Sequence, residues 1–208
     1  GVAVVVFTLF AWRRYLGRVG ALIAGFLFMI SPYILFYSRY TRNEIFIVFW
    51  GLVMLWLFLR YLESGEKKFL LWLTLIIAMH YADKATSYIF TAEALIFLAV
   101  LFVLEALHKS WSESRTRRNF LISLLVMLLA VLGLGGFYLL SADGLAGIPM
   151  PALLILGAVL IAGLVLMILN LVRGLGWGQI RLMRSFDLVV LQLLLVLPLL
   201  TALPVRLL

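Results

Sequence analysis

The sequence contains no cysteine, so neither disulfide bonds nor thiol chemistry contributes to its fold or its function. Charge is also scarce, because charged residues make up 12% of the 208 residues, whereas soluble domains carry about 25%. The 16 glycines follow no collagen-like period. These shortages exclude an ordinary soluble domain, a disulfide-stabilised secreted domain and a fibrous or disordered chain.

Apolar residues make up 66% of the sequence and form blocks long enough to cross a bilayer. Apolar and polar residues do not alternate with a period of two, so a helical bundle is favoured over a β-barrel. The apolar runs cover approximately 1–11, 19–37, 45–61, 69–82, 85–104, 120–140, 151–172 and 186–205. The sequence therefore predicts an all-α polytopic transmembrane bundle, residues 1–208 forming a single domain of about eight helices with the first one truncated.

Lysine and arginine are distributed unevenly over the connections between these runs. Thirteen of the seventeen fall in alternate connections, namely Arg13, Arg14, Arg18, Arg60, Lys67, Lys68, Lys109, Arg115, Arg117, Arg118, Arg173, Arg181 and Arg184. Basic connections stay on the cytoplasmic side of a membrane. We therefore expect a multi-pass protein of the cytoplasmic membrane, with an extracytoplasmic segment and an earlier helix upstream of Gly1. The net charge of +8 then reflects topology rather than nucleic-acid binding.

Two short connections on the predicted outer side carry cations that oppose this rule, together with acids. The first contains Arg39, Arg42 and Glu44, and the second contains Asp83 and Lys84. The run before the second spans fourteen residues, or about 21 Å against a hydrocarbon core of about 30 Å. Asp83 and Lys84 are therefore predicted to be recessed, where charges face a wet cavity or one another. We expect the two connections to converge on one outward cavity.

Each of these charges also has a structural explanation. Arg39 and Arg42 could anchor the chain at the interface within an aromatic belt, and Asp83 and Lys84 could simply neutralise one another. Glu93 lies inside the predicted helix 85–104. An acid at that depth faces a cavity or a partner, so it either lines a substrate tunnel or makes a structural hydrogen bond.

Two stretches of this outer region resemble a known family. They are GRVGALIAGFLFMISPYILFYSRYTRNE (17–44) and HYADKATSYIF (80–90). The pattern of Ser31-Pro32 followed by Ser38-Arg39 and an acid is similar to the glycosyltransferase-C superfamily. Within it, the sequence looks like the protein mannosyltransferase-like branch (glycosyltransferase family 39), which includes the flippase-activity-associated membrane proteins. The resemblance covers roughly residues 17 to 100.

The resemblance implies that a sugar is transferred from a polyprenyl-phosphate donor to an acceptor on the extracytoplasmic face. Arg39, Arg42 and Lys84 would then bind phosphate, while Glu44 would serve as an accessory acid that orients the acceptor. With Asp83 and Glu93 they form the predicted substrate-binding set. The essential acid of the first extracytoplasmic loop has no counterpart here and is expected upstream of Gly1.

The predicted partners are the lipid bilayer and the lipid-linked sugar, and the acceptor is not specified by the sequence. Some relatives hold a divalent metal through the acid that corresponds to Glu44, but no metal-ligand spacing indicates one here. Two other classes stay open. A lipid-linked-sugar transporter or flippase would also need outward cations, although inverted repeats are not evident. A non-catalytic membrane scaffold would tolerate neutralisation of the outer charges.

Overall fold

The structure, a computed structural model, describes residues 1–39, 43–83, 87–140 and 149–200, except for the side chains of 138–140 and 197–200. Throughout these residues the regular secondary structure is helical, as predicted. The helices are α1 (Val2–Ala11), α2 (Arg13–Ile30), α3 (Pro32–Arg39), α4 (Glu44–Ser64), α5 (Lys67–Asp83), α6 (Ser87–His108), α7 (Ser114–Leu140), α8 (Met150–Leu175), α9 (Trp177–Ile180) and α10 (Arg184–Leu200).

Four of the described helices, α4, α6, α7 and α8, are long and apolar enough to cross a membrane. The bent pair α2 and α3 makes a fifth candidate if the two helices together form one span. The chain is therefore a multi-pass membrane protein. Eight spans remain a prediction, because the described parts of α1, α5 and α10 run for fewer than the ~20 residues of a typical crossing.

The predicted helix 19–37 is wrong in one respect, because it is broken at Ser31. Helices α2 and α3 meet there at an angle of 57°. Pro32 lacks an N–H and forces the residue before it into an extended conformation, which Ser31 adopts with φ −61° and ψ 119°. The Ser31 hydroxyl then accepts a hydrogen bond from the backbone N–H of Ile34, at 3.5 Å. A new helix consequently starts at Pro32 and carries Arg39 at its end.

The described chain divides into two compact units. The first contains Gly1–Phe102 and the described residues from Arg184 onward, and the second contains Val103–Met183. The main core of the first unit lies between α4, α5, α6 and α10, with Phe58, Leu73 and Leu188 almost fully buried. This division does not test whether residues 1–208 form a single domain, so the single domain remains a prediction.

In the second unit, α7 and α8 are antiparallel and pack against each other at glycine residues. Gly163 lies against Ser123 and Met127, whereas Gly133 lies against Leu156. Small residues allow helix backbones to approach closely in a bilayer, where no hydrophobic effect drives helices together. Gly163 and Gly133 are therefore explained by packing.

The basic connections come together at one end of each unit. In the first unit, Arg14 pairs with Glu63 at 3.1 Å, and Arg184 Nη1 donates to the carbonyl oxygens of Leu62 and Glu63 at 2.6 Å each. In the second unit, the backbone N–H of Ser112 donates to the Gly174 carbonyl at 2.9 Å. These contacts agree with the alternation of basic connections in the sequence.

The charge distribution makes a testable prediction about topology, because the connection 109–118 is expected in the cytoplasm. The Cys-free sequence allows one cysteine to be introduced at a time. In intact cells, an impermeant thiol reagent should label Ser38→Cys, at the predicted outer end, and leave Glu113→Cys unlabelled until the membrane is permeabilised. Labelling of Glu113→Cys before permeabilisation would overturn the assignment of sides.

Candidate active site

The candidate site lies where α3 ends, α4 begins and α5 ends. Arg39 is the last residue of α3, and its side chain is exposed. Its neighbour Ser38 donates to the Leu35 carbonyl at 3.1 Å, which closes the last turn of the helix. Arg42 and Lys84, two of the predicted phosphate ligands, lie outside the described residues. Arg39 is therefore the described phosphate-ligand candidate at this end of the unit.

A hydrogen bond joins the two predicted outer connections. Asn43 precedes α4, and its side-chain amide donates to the backbone carbonyl of Asp83 at 2.7 Å. The amide thus bonds to a residue forty positions away in the sequence and does not cap its own helix. Because a helix leaves its last carbonyls without partners, this bond also satisfies one of those at the end of α5.

The carboxylate of Asp83 has a partner of its own. Trp50, two turns into α4, donates its indole N–H to Asp83 Oδ2 at 2.5 Å. A hydrogen bond to a carboxylate is stronger than one between neutral groups. Asp83 is thus held through both its backbone and its side chain, and the residue before Lys84 has a fixed position relative to α4.

The last turn of α5 also contacts the start of α6. Tyr81 donates its hydroxyl to Thr91 Oγ1 at 2.7 Å, and Thr91 in turn donates to the Ser87 carbonyl at 3.0 Å. Next to it, His80 is 1% exposed and packs against the Phe90 ring at 5.2 Å between ring centroids. The end of α5 and the start of α6 are consequently connected by side chains on both sides of the undescribed residues 84–86.

Glu44 follows Asn43 directly and occupies the first turn of α4. A carboxylate there is stabilised by the unpaired N–H groups and the positive end of the helix dipole. Glu44 is half-buried, and one of its carboxylate oxygens has no solvent exposure. The structure therefore places Glu44 one residue from the contact between Asn43 and Asp83.

Glu93 lies on α6 in the same unit. It lines a groove of about 380 Å³ whose other walls are apolar side chains of α2, α4 and α6, among them Phe28, Leu52 and Phe97. Glu93 is the one charged group among the described residues of this lining. The structure thus brings Asn43, Glu44 and Asp83 together, whereas Glu93 belongs to an apolar groove along α6.

Sequence reasoning missed Asn43 and Trp50. Trp50 is one aromatic residue within an apolar run, so nothing in its local pattern identifies it as a partner of Asp83. Asn43 offers a weak signal, since an asparagine before a helix usually caps that helix. Among the described residues, no three His, Asp or Glu side chains are close enough together to hold a metal ion.

Residues 1–134 match the family described as dolichyl-phosphate-mannose-protein mannosyltransferase. The match covers α1 to α6 and most of α7, so it extends beyond the stretches that carry the resemblance in the sequence. No curated protein and no solved structure matches the chain. On the family match, which covers well over half of its length, the chain belongs to the dolichyl-phosphate-mannose-protein mannosyltransferase family of membrane glycosyltransferases.

Proposed function

We propose that the protein transfers a sugar from a polyprenyl-phosphate donor to a hydroxyl acceptor at the extracytoplasmic face of the membrane. The observation that carries the proposal is the junction of Asn43, Trp50 and Asp83, which links the two charged segments. This junction brings the residues next to Lys84 into contact with the residues next to Arg42. Cations from both segments can then bind the same phosphate. The reaction needs such cations because its leaving group is a negatively charged lipid phosphate.

In such a transfer, the bond between the sugar and the phosphate oxygen breaks while a bond to the acceptor oxygen forms, and the proton of the acceptor hydroxyl passes to the released phosphate or to water. Negative charge develops on the departing lipid phosphate, so cations fixed around it stabilise the transition state. We assign this role to Arg39, Arg42 and Lys84. Arginine suits a bidentate grip on phosphate, and lysine acts as a point charge.

The acids receive different roles. Glu44 is an accessory acid that orients the acceptor hydroxyl by accepting its hydrogen bond. Asp83 accepts a hydrogen bond from Trp50, so it acts mainly as a positioning residue for Lys84. We assign Glu93 to substrate binding. It is the one described charged residue that lines the apolar groove of α2, α4 and α6, where its carboxylate can accept a hydrogen bond from a substrate hydroxyl. No general base is assigned among these residues.

Transfer from a defined donor tests the proposal directly. The purified full-length protein in liposomes would be given polyprenyl-phosphate mannose, and release of polyprenyl phosphate would be measured with a membrane extract as the source of acceptor. We expect release that depends on the extract, and none with nucleotide-linked mannose. Movement of the donor between leaflets without release would instead identify a transporter, and inertness in both assays would identify a scaffold.

The junction makes a prediction of its own. Trp50→Phe keeps an aromatic ring but removes the N–H that donates to Asp83, so turnover should fall about 5- to 30-fold while the protein still folds. Trp72→Phe is the matched control, because Trp72 is 57% exposed and has no hydrogen bond among the described residues. Equal turnover of both variants and of the wild type would contradict a positioning role for the junction.

A further inference from the structure

A second groove runs along the contact between α7 and α8, entirely within the unit Val103–Met183. Its volume is about 540 Å³. One end is polar and the other is apolar. Asn119, Asn170 and Arg173 line the polar end, and Val126, Val159 and Ala162 line the apolar end.

The change from polar to apolar lining runs parallel to the axes of α7 and α8. Because α7 and α8 are antiparallel, the start of α7 and the end of α8 lie together at the polar end. Arg173 and Val159 are fourteen positions apart on α8, which corresponds to about 21 Å along a helix. The groove therefore extends from the terminus of a candidate membrane span to the middle of that span, where only apolar groups line it.

The polar end is positively charged. Arg173 is exposed, and it takes part in none of the ion pairs that the described residues form. Arg115, Arg117 and Arg118 lie in the first turns of the adjacent α7. The hydroxyl of Ser123 is used to donate to the Asn119 carbonyl at 2.6 Å, and the amide of Asn170 donates to the Leu166 carbonyl at 2.8 Å. The guanidinium of Arg173 remains available to an external acceptor.

We propose that this groove binds an anionic glycerophospholipid of the surrounding bilayer. Its phosphate would contact Arg173 and Asn119, and one acyl chain would lie along Val126, Val159 and Ala162. The argument is complementarity of charge at one end and of hydrocarbon along the rest. Basic pockets between transmembrane helices are typical sites for anionic head groups. Free phosphate would use only the polar end, whereas a phospholipid occupies the whole length.

Lipid binding to the purified full-length protein in detergent tests the proposal, with native mass spectrometry as the measurement. Dioleoylphosphatidylglycerol should bind more tightly than dioleoylphosphatidylcholine. Arg173→Gln should raise the apparent Kd for phosphatidylglycerol about 5-fold, because one cation near a membrane surface contributes roughly this factor. Arg181→Gln is the matched control, since Arg181 is also exposed but does not line the groove, and it should change the Kd less than 2-fold.

A second variant examines the apolar end. Ala162→Phe places a ring in the groove and should weaken phosphatidylglycerol binding without changing charge. Equal affinity for the two lipids would overturn recognition of an anionic head group, and an equal effect of Arg173→Gln and Arg181→Gln would overturn the site in favour of diffuse surface charge. Full displacement of phosphatidylglycerol by inorganic phosphate, together with no effect of Ala162→Phe, would overturn it in favour of a free-phosphate site.

Discussion

Lys84→Ala should slow sugar transfer about 30- to 1000-fold in the full-length enzyme while leaving it folded. A cation that contacts the departing phosphate in a site shielded from water contributes on the order of 2–4 kcal/mol to transition-state stabilisation. Asp83, the residue before Lys84, is fixed by Trp50 and Asn43, so the segment entering position 84 has a defined place. The measurement is turnover of polyprenyl-phosphate mannose alongside thermal stability.

Two further variants separate the functional role from a structural one. Lys67→Ala is the matched control, because Lys67 is an exposed lysine at the other end of α5, and it should retain wild-type turnover. If Lys84 serves only to neutralise Asp83, its removal should destabilise the protein, and Asp83→Asn combined with Lys84→Ala should restore both stability and activity. Such a rescue, or wild-type turnover in Lys84→Ala alone, would defeat the phosphate-binding role.

Gly174→Ala should produce the largest loss of stability in the second unit. A Cβ atom at Gly174 would lie 2.3 Å from Trp111 Cε3 and 3.1 Å from Thr116 Cγ2. The Trp111 ring has little freedom to move, since its N–H donates to the Ala106 carbonyl at 3.0 Å and the ring packs against Phe120 with 5.2 Å between centroids. Overpacking of this kind costs about 2 to 3 kcal/mol. Thermal unfolding in detergent should show a Tm several degrees lower.

The same helix provides a control for that substitution. Gly157 also lies inside α8, and a Cβ atom there would meet no neighbour within 4 Å. Gly157→Ala should therefore leave the protein as stable as the wild type or raise its stability by up to about 1 kcal/mol, because alanine favours helix over glycine. An equal loss of stability in both variants would indicate that the contact between Trp111 and α8 contributes nothing specific.

The candidate site was predictable from the sequence in part. Arg39 stood out because a cation on the outer side opposes the positive-inside rule, and Glu44 and Asp83 stood out because acids are rare in this chain and lie in the same connections as such cations. That the two charged segments meet depends on Trp50, which carries no local signal, and on Asn43, whose position before a helix predicts a cap and not a bond to Asp83. Glu93 could be recognised as an intramembrane acid, but the apolar groove that it lines could not, since the rotation of a helix is set by its packing against neighbouring helices.

The sequence by itself determined the membrane environment, the all-α class, the family and the alternation of basic connections. Each of these follows from composition, from the length of apolar runs or from short motifs, which are properties of neighbouring residues. The tertiary structure alone decided the break between α2 and α3 at 57°, the bond from Asn43 to Asp83 across forty positions and the grooves beside Glu93 and Arg173. Apolar helices offer nearly uniform surfaces to one another, so their packing depends on side-chain fit between segments far apart in the chain.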